Sequence, residues 1–203
     1  MVSTRSSSKR SSAGPDPTWS HKPTGLTLLW LAISLVLVAW DTGYVLLRPH
    51  TMEGGFLHEP IWVPYKLYGT IDHVYGWKAW DRGDGFTGAQ GAMNLVETTM
   101  YLVYLWMWRQ GKDTEGRITG RAGGLALLVG WAAAVMTLSK TVLYWLNEYY
   151  SGFDNIGHND AVTLFFLWII PNGAWLVLPS YMIYSMGGDI LDAFTVASRT
   201  KSE

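Results

Sequence analysis

The sequence contains no cysteine, which excludes disulfide frameworks, thiol nucleophiles and Cys-ligated zinc. It is also poor in charge: Asp, Glu, Lys and Arg make up 15% of the residues, against about 25% in an average soluble domain. The net charge of −1 offers nothing to a nucleic acid. There is no GxSxG elbow, no P-loop and no dinucleotide fingerprint. His50, His58, His73 and His158 fall in loop sequence without a metal-ligand spacing, and His21 falls in a polar N-terminal stretch, so neither a metal nor a cofactor is expected.

What is abundant is apolar and aromatic. Twelve Trp and eleven Tyr suit a chain that lies across two membrane interfaces, where amphipathic rings settle. Four stretches read as spans: 24–47, 91–108, 123–147 and 161–186. The first follows basic residues as a signal peptide would, but it has no small-x-small cleavage pattern and reads as a retained helix. Gly123, Gly124, Gly130 and Ala132 to Ala134 in the third allow close helix contact. Pro171 and Pro179 interrupt the fourth. The expected fold is an all-α integral membrane four-helix bundle, residues 24–186, between a disordered polar tail, 1–23, and a cytosolic C-terminal tail, 187–203. The segment 48–90 is too long for a turn and too aromatic for a linker, so it reads as an interfacial loop or lid with a short helix around 65–80. Ten basic residues flank one side of the four spans and four the other, which puts both termini in the cytosol.

The second span organises the rest. Asn94, Glu97 and Tyr101 stand at i, i+3 and i+7, on one helical face. A carboxylate at that depth costs roughly 2.5–3.5 kcal/mol on insertion scales, so this face is expected to look into the bundle. Asp41, Lys140 and Asn172 add one polar group from each other span. Either Lys140 holds Asp41 or Glu97 in an ion pair, or these groups line a polar cavity. Two carboxylates for one lysine favour the cavity. A carboxyl left without a cation in low dielectric holds a proton at neutral pH and can donate it. Trp40, Tyr44, Tyr101, Tyr104, Tyr144, Trp145, Trp168 and Trp175 surround these groups in sequence and could stabilise a cation by their ring faces.

Four stretches resemble the emopamil-binding protein family, the sterol Δ8–Δ7 isomerases built on the EXPERA unit. They are Asn172-Gly-Ala-Trp175-Leu-Val-Leu-Pro179; Val142 to Glu148 with Gly152-Phe153 and Gly157-His158; Val96-Glu97-Thr98; and Tyr68 to Asp72 with Tyr75. Together they cover roughly residues 26–186. The resemblance implies a lipophilic cavity open toward the bilayer, in the endoplasmic reticulum membrane. An acid there protonates a ring double bond and a base removes a neighbouring proton. It implies Glu97 and Asp41 as the carboxyl pair, Asn172 holding a polar ligand group, and Trp175 facing the cation. Trp40, Tyr44, Asn94, Tyr101, Lys140, Tyr144 and Trp168 would line the substrate site, and Asp72, Glu148 and His158 would organise the cavity mouth. Leu37 stands where the isomerases carry histidine, Met100 where they carry threonine, and Lys140 where they carry an acid. The expected function is therefore isomerisation of a sterol or other isoprenoid. A terpenoid cyclase or a non-catalytic lipid-binding protein on the same bundle is the alternative. The expected partners are a hydrophobic small molecule and the bilayer, and a homodimer is compatible with the pattern.

Overall fold

A computed structural model describes residues 19–200. The expected tail lies outside the described residues as far as residue 18. Six helices build the described chain: α1 Gly25–Leu46, α2 Pro64–Ile71, α3 Trp77–Asp81, α4 Phe86–Gly111, α5 Gly120–Tyr150, and a last helix, α6. α6 runs continuously through Ala161–Leu164, a π-helical turn Phe165–Ile169, and Ile170–Thr200. A minimal antiparallel pair, β1 Ser20–His21 with β2 Ile118–Thr119, closes one end.

Three of these helices, α1, α5 and residues 161–199 of α6, are long and apolar enough to cross a membrane, by length and composition, and suggest a multi-pass membrane protein. α4 has the length, 26 residues, but is not among the three. Its buried residues are Thr87, Gly91, Asn94, Glu97, Tyr101 and Tyr104, a mostly polar stripe at three- and four-residue spacing. Met93, Leu95, Val96, Leu102, Val103 and Trp106 point outward. Its polar groups face in and its apolar groups face out.

The helices pack in the order α1, α4, α5, α6. α1 and α6 meet at a T-shaped contact of Trp30 with Trp175, with ring centroids 5.0 Å apart. Glycine sets the α4–α5 distance. A Cβ at Gly130 would sit 2.8 Å from the ring of Tyr104, a fully buried residue whose hydroxyl is fixed by His21. Gly130→Val is expected to cost about 1–3 kcal/mol by overpacking. Gly124→Val, where nothing lies within 4 Å, should change little. Thermal unfolding in detergent checks both, and equal midpoints would contradict the close contact.

Three boundaries differ from expectation. Residues 19–23 belong to the fold: His21 is buried, with Nδ1 2.6 Å from Asp189 Oδ2 and Nε2 2.9 Å from the Tyr104 hydroxyl. Trp19 Nε1 donates to the Asp189 carbonyl at 2.8 Å. α6 does not end near residue 186 but runs on to Thr200. The single helix expected at 65–80 is two, α2 and α3, because the chain turns sharply at Gly76, where a Cβ would lie 2.5 Å from the Gly69 carbonyl oxygen.

Candidate functional site

Residues 47–85 fold back over one end of the bundle as a lid. Trp62 Nε1 donates to the Trp40 carbonyl at 3.0 Å, and Trp40 Nε1 donates to the Ile61 carbonyl at 2.9 Å, which ties the lid to the end of α1. Tyr65 stacks on Tyr44, with centroids 3.7 Å apart. On the far side, Lys78 and Arg82 both reach Asp154, at 3.0 and 2.9 Å. His73 stacks flat on His158, with centroids 4.0 Å apart.

Beneath the lid lies a cavity of ≈ 450 Å³, walled by α1, α4, α5, α6 and the lid. Its apolar wall includes Leu37, Val38, Leu67, Ile71, Leu167 and Pro171. Leu37, Leu67 and Leu167 are also exposed on the outer surface, so the opening is rimmed by leucines. The π-helical turn precedes Pro171, which cannot donate to the Leu167 carbonyl and whose ring crowds it. The wider turn accommodates that proline and sets the register that brings Asn172 and Trp175 to the wall.

Asp41 is the carboxylate among the residues of this wall. Tyr65 donates to its Oδ1 at 2.6 Å, and Asn94 Nδ2 donates to its Oδ2 at 3.1 Å. Lys140 Nζ donates to Asn94 Oδ1 and stands 3.5 Å from Glu97 Oε2. The four polar groups therefore form one chain, Asp41–Asn94–Lys140–Glu97. Gly91, one turn before Asn94, lets α4 lie against Val45 of α1, where a Cβ would come within 2.8 Å.

Of the residues singled out from the sequence, Asp41, Asn94, Lys140, Tyr144, Asn172, Trp175 and Trp40 line the cavity. Glu97 does not: it is buried behind Lys140, which resolves the alternative left open between Asp41 and Glu97. Tyr101 lies deeper, with its hydroxyl 3.0 Å from Thr137 Oγ1. Tyr44 lies under the lid, donating to the Tyr75 carbonyl at 2.8 Å. Trp168 turns its Nε1 to Asp72 at 2.7 Å, away from the cavity wall.

None of Asp72, Glu148 and His158, expected at the cavity mouth, is among the residues lining the cavity. Asp72 is fully buried, held by the Tyr144 hydroxyl, Trp168 and the Val74 N–H. Burial pushes its carboxyl up to about 6. Glu148 is buried against Asn155 Nδ2 at 2.8 Å. His158 is exposed, with Nε2 2.7 Å from the Thr70 carbonyl.

Reasoning from the sequence missed the lid phenols Tyr65, Tyr68 and Tyr75 as wall residues. Their signal was the i, i+3 spacing of Tyr65 and Tyr68 on one face of α2. Burial raises all three phenols, so they stay neutral donors.

No protein-family model, curated protein or solved structure matches the chain. Among the described residues no group of His, Asp and Glu could hold a metal ion.

Proposed function

We propose that the protein is a membrane-embedded isomerase that moves a carbon–carbon double bond in a sterol or another isoprenoid. The observation that carries this reading is one carboxyl, Asp41, on the wall of an otherwise apolar, aromatic cavity rimmed by leucines. Asp41 in its acid form gives a proton to the alkene, and Trp40, Trp175 and the lid tyrosines offer ring faces to the cation that results. The resemblance to the emopamil-binding protein family supports the same chemistry. In this reading α4 is the fourth span, its apolar outer face toward lipid, and both termini lie in the cytosol of an endoplasmic reticulum membrane.

Two other readings each have an observation in their favour. A single wall carboxylate suffices to start a terpenoid cyclisation, which needs one proton donor and aromatic walls. Pairing of Glu97 with Lys140 removes the second carboxylate from the cavity, as a protein that only binds lipid would allow.

Expression in a host lacking its own Δ8–Δ7 sterol isomerase, followed by mass spectrometry of the lipid extract, separates the three. The isomerase reading expects a new lipid of unchanged mass and unchanged double-bond count. A cyclase gives unchanged mass with fewer double bonds. A lipid that co-purifies chemically unaltered, with no new product, would exclude both enzymes.

A further inference from the structure

The cavity wall holds a second ionisable connection, built from residues of the lid, α5 and α6. Tyr144 lines the cavity, and its hydroxyl donates to Asp72 Oδ2. Asp72 is completely buried and does not line the cavity. Among its hydrogen-bond partners, Trp168 and the Val74 N–H lie outside the wall, so Tyr144 is the group that links this carboxyl to a bound molecule. A tyrosine hydroxyl has one proton and two lone pairs. Here the proton is committed to Asp72, so the oxygen has lone pairs left to accept from a cavity ligand. Asn172 Nδ2 is committed in the same way, to the Trp168 carbonyl at 2.9 Å and to the Tyr68 hydroxyl at 3.4 Å. Tyr144 and the Asn172 side-chain carbonyl therefore present acceptors, beside the Tyr68 hydroxyl, whereas Asp41 in its acid form presents a donor.

We propose that Tyr144 is the proton acceptor of the cavity reaction, handing its own hydroxyl proton to Asp72 as it takes one from the substrate, with Asp72 as the positioning residue behind it. This rests on the isomerase reading. The Asp41 carboxylic acid gives its proton to one alkene carbon, and the π electron pair becomes the new C–H bond. The neighbouring carbon is left cationic. A C–H bond next to the cation then breaks, and its electron pair becomes the new double bond. The released proton lands on the Tyr144 oxygen as the phenol proton moves to the Asp72 carboxylate. Tyr144 stays a neutral phenol throughout. Asp41 has lost one proton and Asp72 has gained one, and exchange with solvent resets both with no net consumption. This assigns the proton-accepting role to Tyr144 in place of Glu97, which Lys140 separates from the cavity.

Geometry carries the assignment, and the electrostatics agree with it. A carboxyl raised to about 6 by burial is matched to taking up a proton near neutrality. The titratable groups facing Asp72 are Tyr144 and Glu148 from α5 and Tyr68 and Tyr75 from the lid.

The test uses the full chain in host membranes incubated in D2O, with the total host lipid as probe. An alkene shifted through Asp41 acquires one carbon-bound deuterium, read by mass spectrometry. Wild type is expected to label one lipid, and Tyr144→Phe is expected to slow labelling about 10²–10⁴-fold. The wild-type rate should fall as pH drops through about 6, where Asp72 becomes protonated and can no longer accept, and Asp72→Asn, which cannot take the proton, should label slowly at every pH without that limb. A purely structural anchor would lower the thermal midpoint without moving the pH profile.

Labelling by Tyr144→Phe within about twofold of wild type, while Asp41→Asn abolishes it, overturns the proposal and leaves the isomerase reading intact. No labelling by wild type, or full labelling by Asp41→Asn, overturns the isomerase reading itself and the proposal with it. If Tyr144→Phe does not fold, the wild-type limb decides, and its absence overturns the assignment.

Discussion

Replacing Asp41 with asparagine is expected to lower conversion of a cavity-bound alkene by about 10²–10⁴-fold, the usual contribution of a positioned proton donor. The substitution changes almost nothing in volume. Tyr65 can still donate to the oxygen that replaces Oδ1. The new amide nitrogen would face Asn94 Nδ2, whose own orientation is fixed because Lys140 donates to the Asn94 oxygen. Opposing two donors costs about 1–3 kcal/mol. Folding and lipid retention should therefore survive where turnover does not. Conversion of a Δ8 sterol by membranes carrying the variant, beside the amount of lipid that co-purifies with it, measures both. Retained conversion would remove Asp41 from the chemistry. Loss of co-purifying lipid in step with conversion would mean the side chain shapes the cavity instead of acting in it.

Replacing Lys140 with methionine should give the largest loss of stability. Glu97 is 2% exposed, and Lys140 Nζ is the cation beside it at 3.5 Å. Removing one partner of a buried pair leaves an uncompensated charge and costs about 3–5 kcal/mol. The same change frees the Asn94 amide, because the Lys140 donor that fixes its oxygen is gone, and weakens its bond to Asp41. Adding Glu97→Gln to Lys140→Met should recover most of the loss, since the buried charge then disappears with its partner. Thermal midpoints of wild type, both single variants and the double variant form the cycle that isolates the pair. Additive losses would mean that Lys140 and Glu97 do not interact as the distance indicates.

The long helices and their polar interruptions were legible because membrane depth makes polar side chains expensive. Asn94, Glu97 and Tyr101 share a face by simple periodicity, and all three are buried. What periodicity could not resolve was which of two inward carboxylates meets the cavity and which meets the lysine. Glu97 and Lys140 come from α4 and α5, and Asp41 from α1, so their pairing depends on how closely three helices approach. That approach is set partly by glycines such as Gly91 and Gly130. The lid was legible as an aromatic segment, but its tyrosines were not legible as cavity wall. Their placement needs the sharp return of the chain at Gly76 and the anchoring of Asp72 under Tyr144 and Trp168. The packing of residues 19–23 escaped notice because polar composition reads as solvated tail. His21 between Asp189 and Tyr104, Trp19 on the Asp189 carbonyl and the pairing of β1 with β2 fix that segment, and they leave no periodic trace. α6 runs past residue 186 because its later turns carry no helix-breaking proline.

The measurement that bears most directly on the central claim is the order in which buried carboxyls react with a lipophilic carbodiimide. The protein would be treated in membranes and its peptides read by mass spectrometry. If a molecule arriving from the bilayer meets Asp41 first, the peptide containing Asp41 is modified ahead of those containing Glu97 and Asp72, and an added cavity ligand slows that modification. Modification of Glu97 with Asp41 left intact would contradict the account, because the carboxyl facing the hollow would then be the one assigned to the lysine.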